Sequence, residues 1–339
     1  MRVSSAMMRI AENCTALHRW VLAFSLAVVA NAAIAEQPKT ASEWIEWASV
    51  AREAHSFVGE FVYQHGDDIE TMRIWRSVDE TNGVRERLHS LSGEPREVLR
   101  GDDSVTCILP NSDSMLIDER QFRRSISERI PADVSALQPH YGLRLVGEDR
   151  VAGRATTRIA LEPQDHLRYG YAIWIDQRTG LLLRAEVMTP DGEMIERLMM
   201  LSMELRDHID ERDLEPMLPD DGFVRVTAAA ADTDEQRQSL PVWRVTDPPS
   251  GYQLEVDKIQ QLPGRPHAVR HMVYSDGLAT VSVYVEPAAQ ADAMHGPLRM
   301  GAMNAYAKAL ENHQAIVVGE VPAATVEQIA QSLALQSAR

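Results

Sequence analysis

The sequence predicts a mainly β protein with some helix, arranged as two units, and three observations predict it. Residues Tyr169 to Met200 read as three strands joined by two tight turns. Short alternating runs separated by turn signals recur from Ser56 to Pro163. Between Glu215 and Pro241 the composition shifts to Asp, Ala and Pro, and a second set of strand patterns follows.

The first observation is the sharpest. In YGYAIWIDQRTGLLLRAEVMTPDGEMIERLMM, Leu181, Leu183, Ala185 and Val187 fall on one face of the middle strand and Arg184 and Glu186 on the other, the pattern of a sheet wet on one side. Asp176 to Gly180 and Pro190-Asp191-Gly192 supply the turns, with Gly taking the positive φ that a hairpin loop needs.

From the start of the chain, Arg2, Arg9 and Arg19 precede the apolar run Val21 to Ala30, and Ala33-Ile34-Ala35 offers small residues where a signal peptidase reads. Residues 1–35 are expected to be a signal peptide, cleaved near Ala35/Glu36 on export to the periplasm. The apolar segment is interrupted by Asn31 and falls short of the roughly 20 residues needed to cross a bilayer. Cys14 precedes the run and cannot accept a lipid there. Cys107 is then the single cysteine of the mature chain, in SVTCILP, where a half-buried strand position is expected and an internal disulfide is excluded.

Removing residues 1–35 takes away three Arg and one Glu, so the net charge of −16 becomes more acidic in the mature chain. Such a surface makes nucleic acid an unsuitable partner and restricts any lipid contact to a specific pocket.

Thr40 and Glu43 have the spacing of a capping box, and Trp44, Trp47, Ala48 and Ala51 recur on one helix face. Strands are expected at Ser56 to Gln64, Thr71 to Val78, Val84 to Leu91 and Val105 to Leu109, with GDD, NG, SGEP and GDD as turns. Regularity lapses near 112–142. A hairpin pattern then turns at Ala152-Gly153 and leads into the meander. The large β domain is assigned to 36–218, a linker to 219–241 and a small domain to 242–339. In the small domain, HMVYSD pairs with LATVSVYVE across Asp276-Gly277, Ala315 to Val321 is a strand, and Val326, Ile329, Ala330 and Leu333 define a closing helix that begins near Pro322 or Thr325. Ala302 to Leu310 reads either as helix or as a hairpin arm.

The chemistry of a catalyst is missing from the pattern. The chain has no Gly-x-Ser-x-Gly elbow, Walker loop, dinucleotide fingerprint or His-Glu-x-x-His helix. His267 and His271 share an i, i+4 spacing, but Pro266 and the strand pattern that follows argue against a metal-binding helix. The pairs Asp67-Asp68, Asp102-Asp103 and Asp220-Asp221 fall in turn or linker segments. No catalytic residue, cofactor or metal site is expected.

The segments SFVGEFVYQHGDDIETMRIWR, GVRERLHSLSGEPREVLR, LRLVGEDRVAGRATTRIALEPQDHLRYGYAIWIDQRTGLLLRAE, WRVTDPPSGYQL, VYSDGLATVSVYVEP and VVGEVPAATVEQIA, from about Ser42 to Ala330, together resemble the RseB/MucB family. These are periplasmic negative regulators of the sigma-E envelope-stress response. The resemblance implies a large domain similar to LolA and LolB, an unclosed antiparallel β-barrel covered by helices, followed by a small α+β domain with an antiparallel sheet. It also implies binding to the periplasmic region of a transmembrane anti-sigma factor and shielding of it from site-1 proteolysis, relieved by lipid or lipopolysaccharide. A rival reading is a periplasmic lipid or lipoprotein carrier that uses the same half-barrel. A curved sheet under helices leaves an apolar concavity suited to an acyl chain, and Phe57, Phe61, Tyr63, Tyr171, Trp75 and Trp174 are the candidates for its wall, each of which an ordinary core would also explain. Nothing in the sequence decides whether the protein is a homo-oligomer, or which small-domain residues touch the partner.

Overall fold

The computed structural model describes residues 37–79, 81, 83–101, 104–110, 134–218, 223–229, 242–261, 267–288, 295–300 and 302–335. The expected leader 1–35 lies outside them, as do residues 112–133 and the acid pairs at 102–103 and 220–221. No helix among the described residues is long and apolar enough to cross a membrane.

Helix α1 (Ala41–Ala51) starts where its capping box says it should. Glu43 N–H donates to Thr40 Oγ1 at 3.2 Å, and the Glu43 carboxylate accepts from the backbone of Thr40 at 3.2 Å and of Lys39 at 2.6 Å. Those amides hold the Glu43 carboxyl below its ordinary range. Trp44, Ile45, Ala48 and Ala51 are buried, with Trp47 tilted against Trp44.

The first sheet has eleven strands: β1 (Ser56–His65), β2 (Asp68–Asp79), β3 (Gly83–Ser90), β4 (Glu97–Arg100), β5 (Ser104–Pro110), β6 (Tyr141–Val151), β7 (Arg154–Pro163), β8 (Gly170–Asp176), β9 (Leu182–Met188), β10 (Met194–Arg206) and β11 (Phe223–Ala229). Their order is β11-β5-β4-β3-β2-β1-β10-β9-β8-β7-β6, antiparallel throughout, so among the described residues β11 and β6 remain as edges and the sheet is not closed into a barrel. A short helix α2 (Val134–Leu137) precedes β6. Glu97–Arg100, between the SGEP and GDD turns and assigned to no element from the sequence, is the strand β4. Phe223–Ala229, inside the stretch read as linker, pairs along its length with β5.

Two rungs define the faces. Ile159, Ile173, Ala185, Leu198 and Tyr63 oppose one another across five strands, and α1's buried stripe joins their side of the sheet in one core. On the other side run Arg158, Trp174, Arg184, Met199 and Val62. The expectation of a sheet wet on one side holds poorly here, because β8 is buried on both faces. Glu186 is buried too, receiving Arg184 Nη2 at 2.5 Å and Arg197 Nε at 2.6 Å. Long arginine stems lie over this second face: Glu186 pairs with the heads of Arg184 and Arg197, and Arg158 lies against the Trp174 ring.

The small domain has a six-stranded antiparallel sheet ordered β13-β14-β15-β18-β17-β16, from β13 (Gln253–Gln261), β14 (Ala268–Ser275), β15 (Thr280–Pro287), β16 (Gly296–Met300), β17 (Met303–Leu310) and β18 (His313–Gly319). Met303–Leu310 is thus a hairpin arm. Helix α3 (Ala323–Gln331) lies over β17 and β18 and shares one apolar core with Val281, Val283 and Val317 through Val326, Ile329 and Ala330, with Pro322 in the N-cap position. Lys308 of β17 donates to the carbonyls of Ala330 and Gln331, both at 3.0 Å, and so caps the helix end with a cation. His271 lies on β14 rather than on a helix, between Gln260 and Ser282. A ribbon of β12 (Trp243–Val245) and β19 (Leu333–Leu335) brackets the domain.

Candidate functional site

The six candidate wall residues divide between the two faces. Phe57, Phe61 and Tyr63 alternate on β1 with Val58 and Val62, so they share the α1-covered face, and Tyr171 reaches it from β8 opposite Leu161 and Val187. Phe57, Phe61 and Tyr171 are buried in one core, with half-buried Tyr63 packed against it. This inner face is the candidate ligand cup.

The tryptophans belong to the opposite face. Trp75 pairs with Val58 and Arg87, and its ring lies under the guanidinium of Arg87 at 4.5 Å and near that of Arg73 at 5.7 Å. Trp174 is flanked by its cross-strand neighbours Arg184 at 4.1 Å and Arg158 at 4.9 Å, and its indole donates to Asp149 at 2.8 Å. By register both rings fall on the face opposite Phe57, Phe61, Tyr63 and Tyr171, each against arginine guanidiniums. The reason lies in the pleat: Trp75 alternates with Met72 and Ile74, so it cannot share their face.

A buried carboxylate on that outer face secures the chain as it leaves the first domain. Glu97 accepts from Arg87 Nε at 3.0 Å and Nη2 at 2.6 Å, and from the backbone N–H groups of Met217 at 2.8 Å and Leu218 at 3.0 Å. Arg87 also donates to the Asp213 carbonyl at 3.0 Å, and Arg85 makes a two-pronged pair with Glu211 at 2.6 Å. Burial alone would raise the Glu97 carboxyl, but the Leu218 and Met217 amides and Arg87 outweigh it and hold it below the usual range.

The two domains meet at the loop between β7 and β8. Arg168, with no exposed surface, donates from Nε to Asp276 Oδ2 at 2.8 Å, from Nη1 to Asp165 and from Nη2 to the Ser250 carbonyl, with its guanidinium 5.1 Å from the Tyr252 ring centre. Asp276 sits in the β14–β15 turn of the small domain, where its other oxygen accepts from Leu278 and Ala279 N–H at 3.0 and 2.8 Å. Tyr141 adds its hydroxyl to Asp276 Oδ2 at 3.1 Å, and burial raises that phenol far above its ordinary value. Thr325 of α3 donates to the Leu167 carbonyl at 2.6 Å, and Asn304 of β17 to the Tyr169 hydroxyl at 2.9 Å. Gly251, at φ +85°, lies so close to His140 that a Cβ would fall 2.1 Å from its Nε2.

Sequence reasoning missed this seam. Asp276-Gly277 registers only as a hairpin turn, and Arg168 is not singled out at all. Arginine and carboxylate are both ordinary where they stand, and only the fold brings them together.

Comparison with known proteins matches both domains. Residues 40–218 match the MucB/RseB N-terminal domain and residues 236–334 the MucB/RseB C-terminal domain. The sigma factor AlgU regulatory protein MucB of Pseudomonas aeruginosa is 32% identical over 90% of this chain and 94% of its own. The sigma-E factor regulatory protein RseB of Haemophilus influenzae is 22% identical over 92% and 96%. The solved complex of Pseudomonas aeruginosa MucA and MucB aligns at a TM-score of 0.67 and 30% identity, covering 88% of this chain and 99% of that one. Two sheet domains in the same order, matched over nearly the whole described length, lead to one conclusion: the chain belongs to the MucB/RseB family.

Proposed function

We propose that this protein is a non-enzymatic periplasmic regulator, exported with loss of residues 1–35, that binds the periplasmic region of a transmembrane anti-sigma factor and shields it from site-1 proteolysis. In the same reading, lipid or lipopolysaccharide in the inner-face cup relieves the shielding by favouring a domain arrangement that cannot hold the partner. The observation that carries the proposal is the match of both domains to a family in which MucB has been solved bound to MucA. The retention of the small domain favours a regulator over a carrier, since a carrier needs only the cup.

The test is calorimetry of the mature protein with the periplasmic segment of the cognate anti-sigma factor, followed by digestion of that segment by the site-1 protease with and without the regulator. Saturable binding and slowed cleavage are expected. Absence of binding overturns the proposal, and binding without protection removes the shielding role.

A further inference from the structure

The loop that joins the domains begins where the cup wall ends. Tyr171, on the inner face, follows this loop by one residue past Gly170, and its ring lies 6.4 Å from that of Tyr141, tilted by 57°. Tyr141 heads β6 and donates its hydroxyl to the small domain's Asp276. The same carboxylate oxygen receives Arg168. An unbroken contact path thus runs from the cup wall through two tyrosine rings to an ion pair that belongs to both domains.

The chemistry of that pair suits a joint meant to open. Burying two charges costs several kcal/mol each, and their attraction roughly offsets the cost, so a buried ion pair adds little net stability compared with an apolar contact of the same size. When the seam opens, Arg168 and Asp276 regain hydration, whereas an apolar seam would expose surface that water disfavours. What the pair enforces is geometry. Arg168 is satisfied by Asp276, Asp165 and the Ser250 carbonyl at once, and a slipped arrangement would leave a buried charge without its partners. The joint is well defined when closed, as a two-state element requires; Leu278 and Ala302 of the small domain lie in the large domain's apolar core beside it, so parting the seam also exposes apolar surface.

We infer that Arg168, Asp276 and Tyr141 form a latch between the domains, and that an acyl chain seated against Tyr171 releases it by displacing Tyr141. This rests on the proposal that the cup takes lipid, and it adds the residues through which occupancy reaches the small domain. The Tyr141 hydroxyl contributes a hydrogen bond to a buried charge, so its removal shifts the closed-to-open ratio by on the order of tenfold or more.

The experiment uses the full mature chain with spin labels at Glu193→Cys and Glu327→Cys, both exposed and one in each domain, while Cys107 at 4% exposure stays unlabelled. Interdomain distance distributions are recorded for this background and for Tyr141→Phe and Asp276→Asn within it, with and without sub-micellar lysophosphatidylcholine as the acyl probe. Tyr141→Phe keeps the ring and its packing, so it reports on the hydroxyl even where Asp276→Asn folds poorly. The latch predicts that the probe lengthens the distance in the background protein, that each variant lengthens it without the probe, and that the probe adds little further in the variants. Unchanged distances in a folded Tyr141→Phe overturn the latch, as does a probe response equal in variant and background, or no probe response in the background. None of these readings needs the anti-sigma segment, so a failure of partner binding in the calorimetry stands apart from a failure of the latch.

Discussion

Glu97→Gln should loosen the exit of the first domain. The carboxylate has no exposed surface and accepts from two Arg87 N–H groups and from the Met217 and Leu218 amides, with His89 Nδ1 a further neighbour at 3.2 Å. Glutamine keeps one oxygen and turns an NH2 group toward a donor, so it can satisfy Arg87 or the amides but not both. Breaking one side of a buried pair costs about 3–5 kcal/mol. Only the thin segment from Asp213 to Leu218 separates this site from water, so the lower end, about 3 kcal/mol, is the better expectation. For a domain of this size that lowers Tm by roughly 6–12 °C at pH 7. The pH dependence has a definite sign. The folded Glu97 carboxyl lies below its ordinary value, so its contribution is complete above the unfolded pKa, about 4.3, and is lost as pH falls through the folded value. The glutamine variant has nothing to lose there, and the gap between the two proteins should close in acid. Calorimetric melts of both proteins at neutral and acid pH measure this. Equal melting at pH 7, or a gap that persists undiminished in acid, would refute the reasoning.

Trp174→Ala should destabilise the protein by about 3–5 kcal/mol yet leave acyl-chain affinity unchanged in the molecules that stay folded, whereas Phe61→Leu, on the inner face, should alter it; tryptophan-independent lipid binding assays with dichroism controls distinguish them. Gly180→Ala meets both a positive φ of 76° and a contact of 2.8 Å with the Ala51 Cβ, so a loss of about 2–4 kcal/mol is expected in denaturant melts, through the α1 packing as much as the turn. A fragment ending at residue 218 lacks β11 and leaves β5 as a bare edge, so a fragment extended to residue 230 should melt higher and aggregate less, as thermal scans and light scattering would show.

Much of this architecture is legible in the sequence because it is local. Asp176 to Gly180 and Pro190 to Gly192 make the two hairpins of the meander, and Thr40 with Glu43 starts α1. Glu97–Arg100 escapes notice since four residues are too few for a period to declare itself. Phe223–Ala229 is hidden by the Ala- and Asp-rich stretch around it, although FVRV alternates as a strand should. The tryptophans illustrate a different limit. Aromatic identity suggests a cup wall, while the face is set by register, and Arg73 and Arg87 beside Trp75 become informative only after the strands are paired. The seam is the least legible part, because Arg168 and Asp276 meet only through tertiary structure.

Two non-sequential pairings in the large sheet, β1 with β10 and β5 with β11, have a consequence for how the chain assembles. Strands β1 to β5 are each joined to the next by a hairpin, and so are β6 to β10, so either half can zip locally and quickly. The meeting of β1 with β10 unites them, setting Phe61 beside Met200 and Tyr63 beside Leu198, and β11 then crosses back to pair with β5. Until that late, entropically costly encounter, each half carries an apolar face and a bare strand edge. The bulge at Glu60/Phe61 interrupts this very junction, and Gly59 next to it leaves no room for a side chain between Met200 and the Ser202 carbonyl. The closing step of folding therefore depends on one glycine, and a substitution there should slow maturation and raise aggregation well before it shows as an altered finished structure.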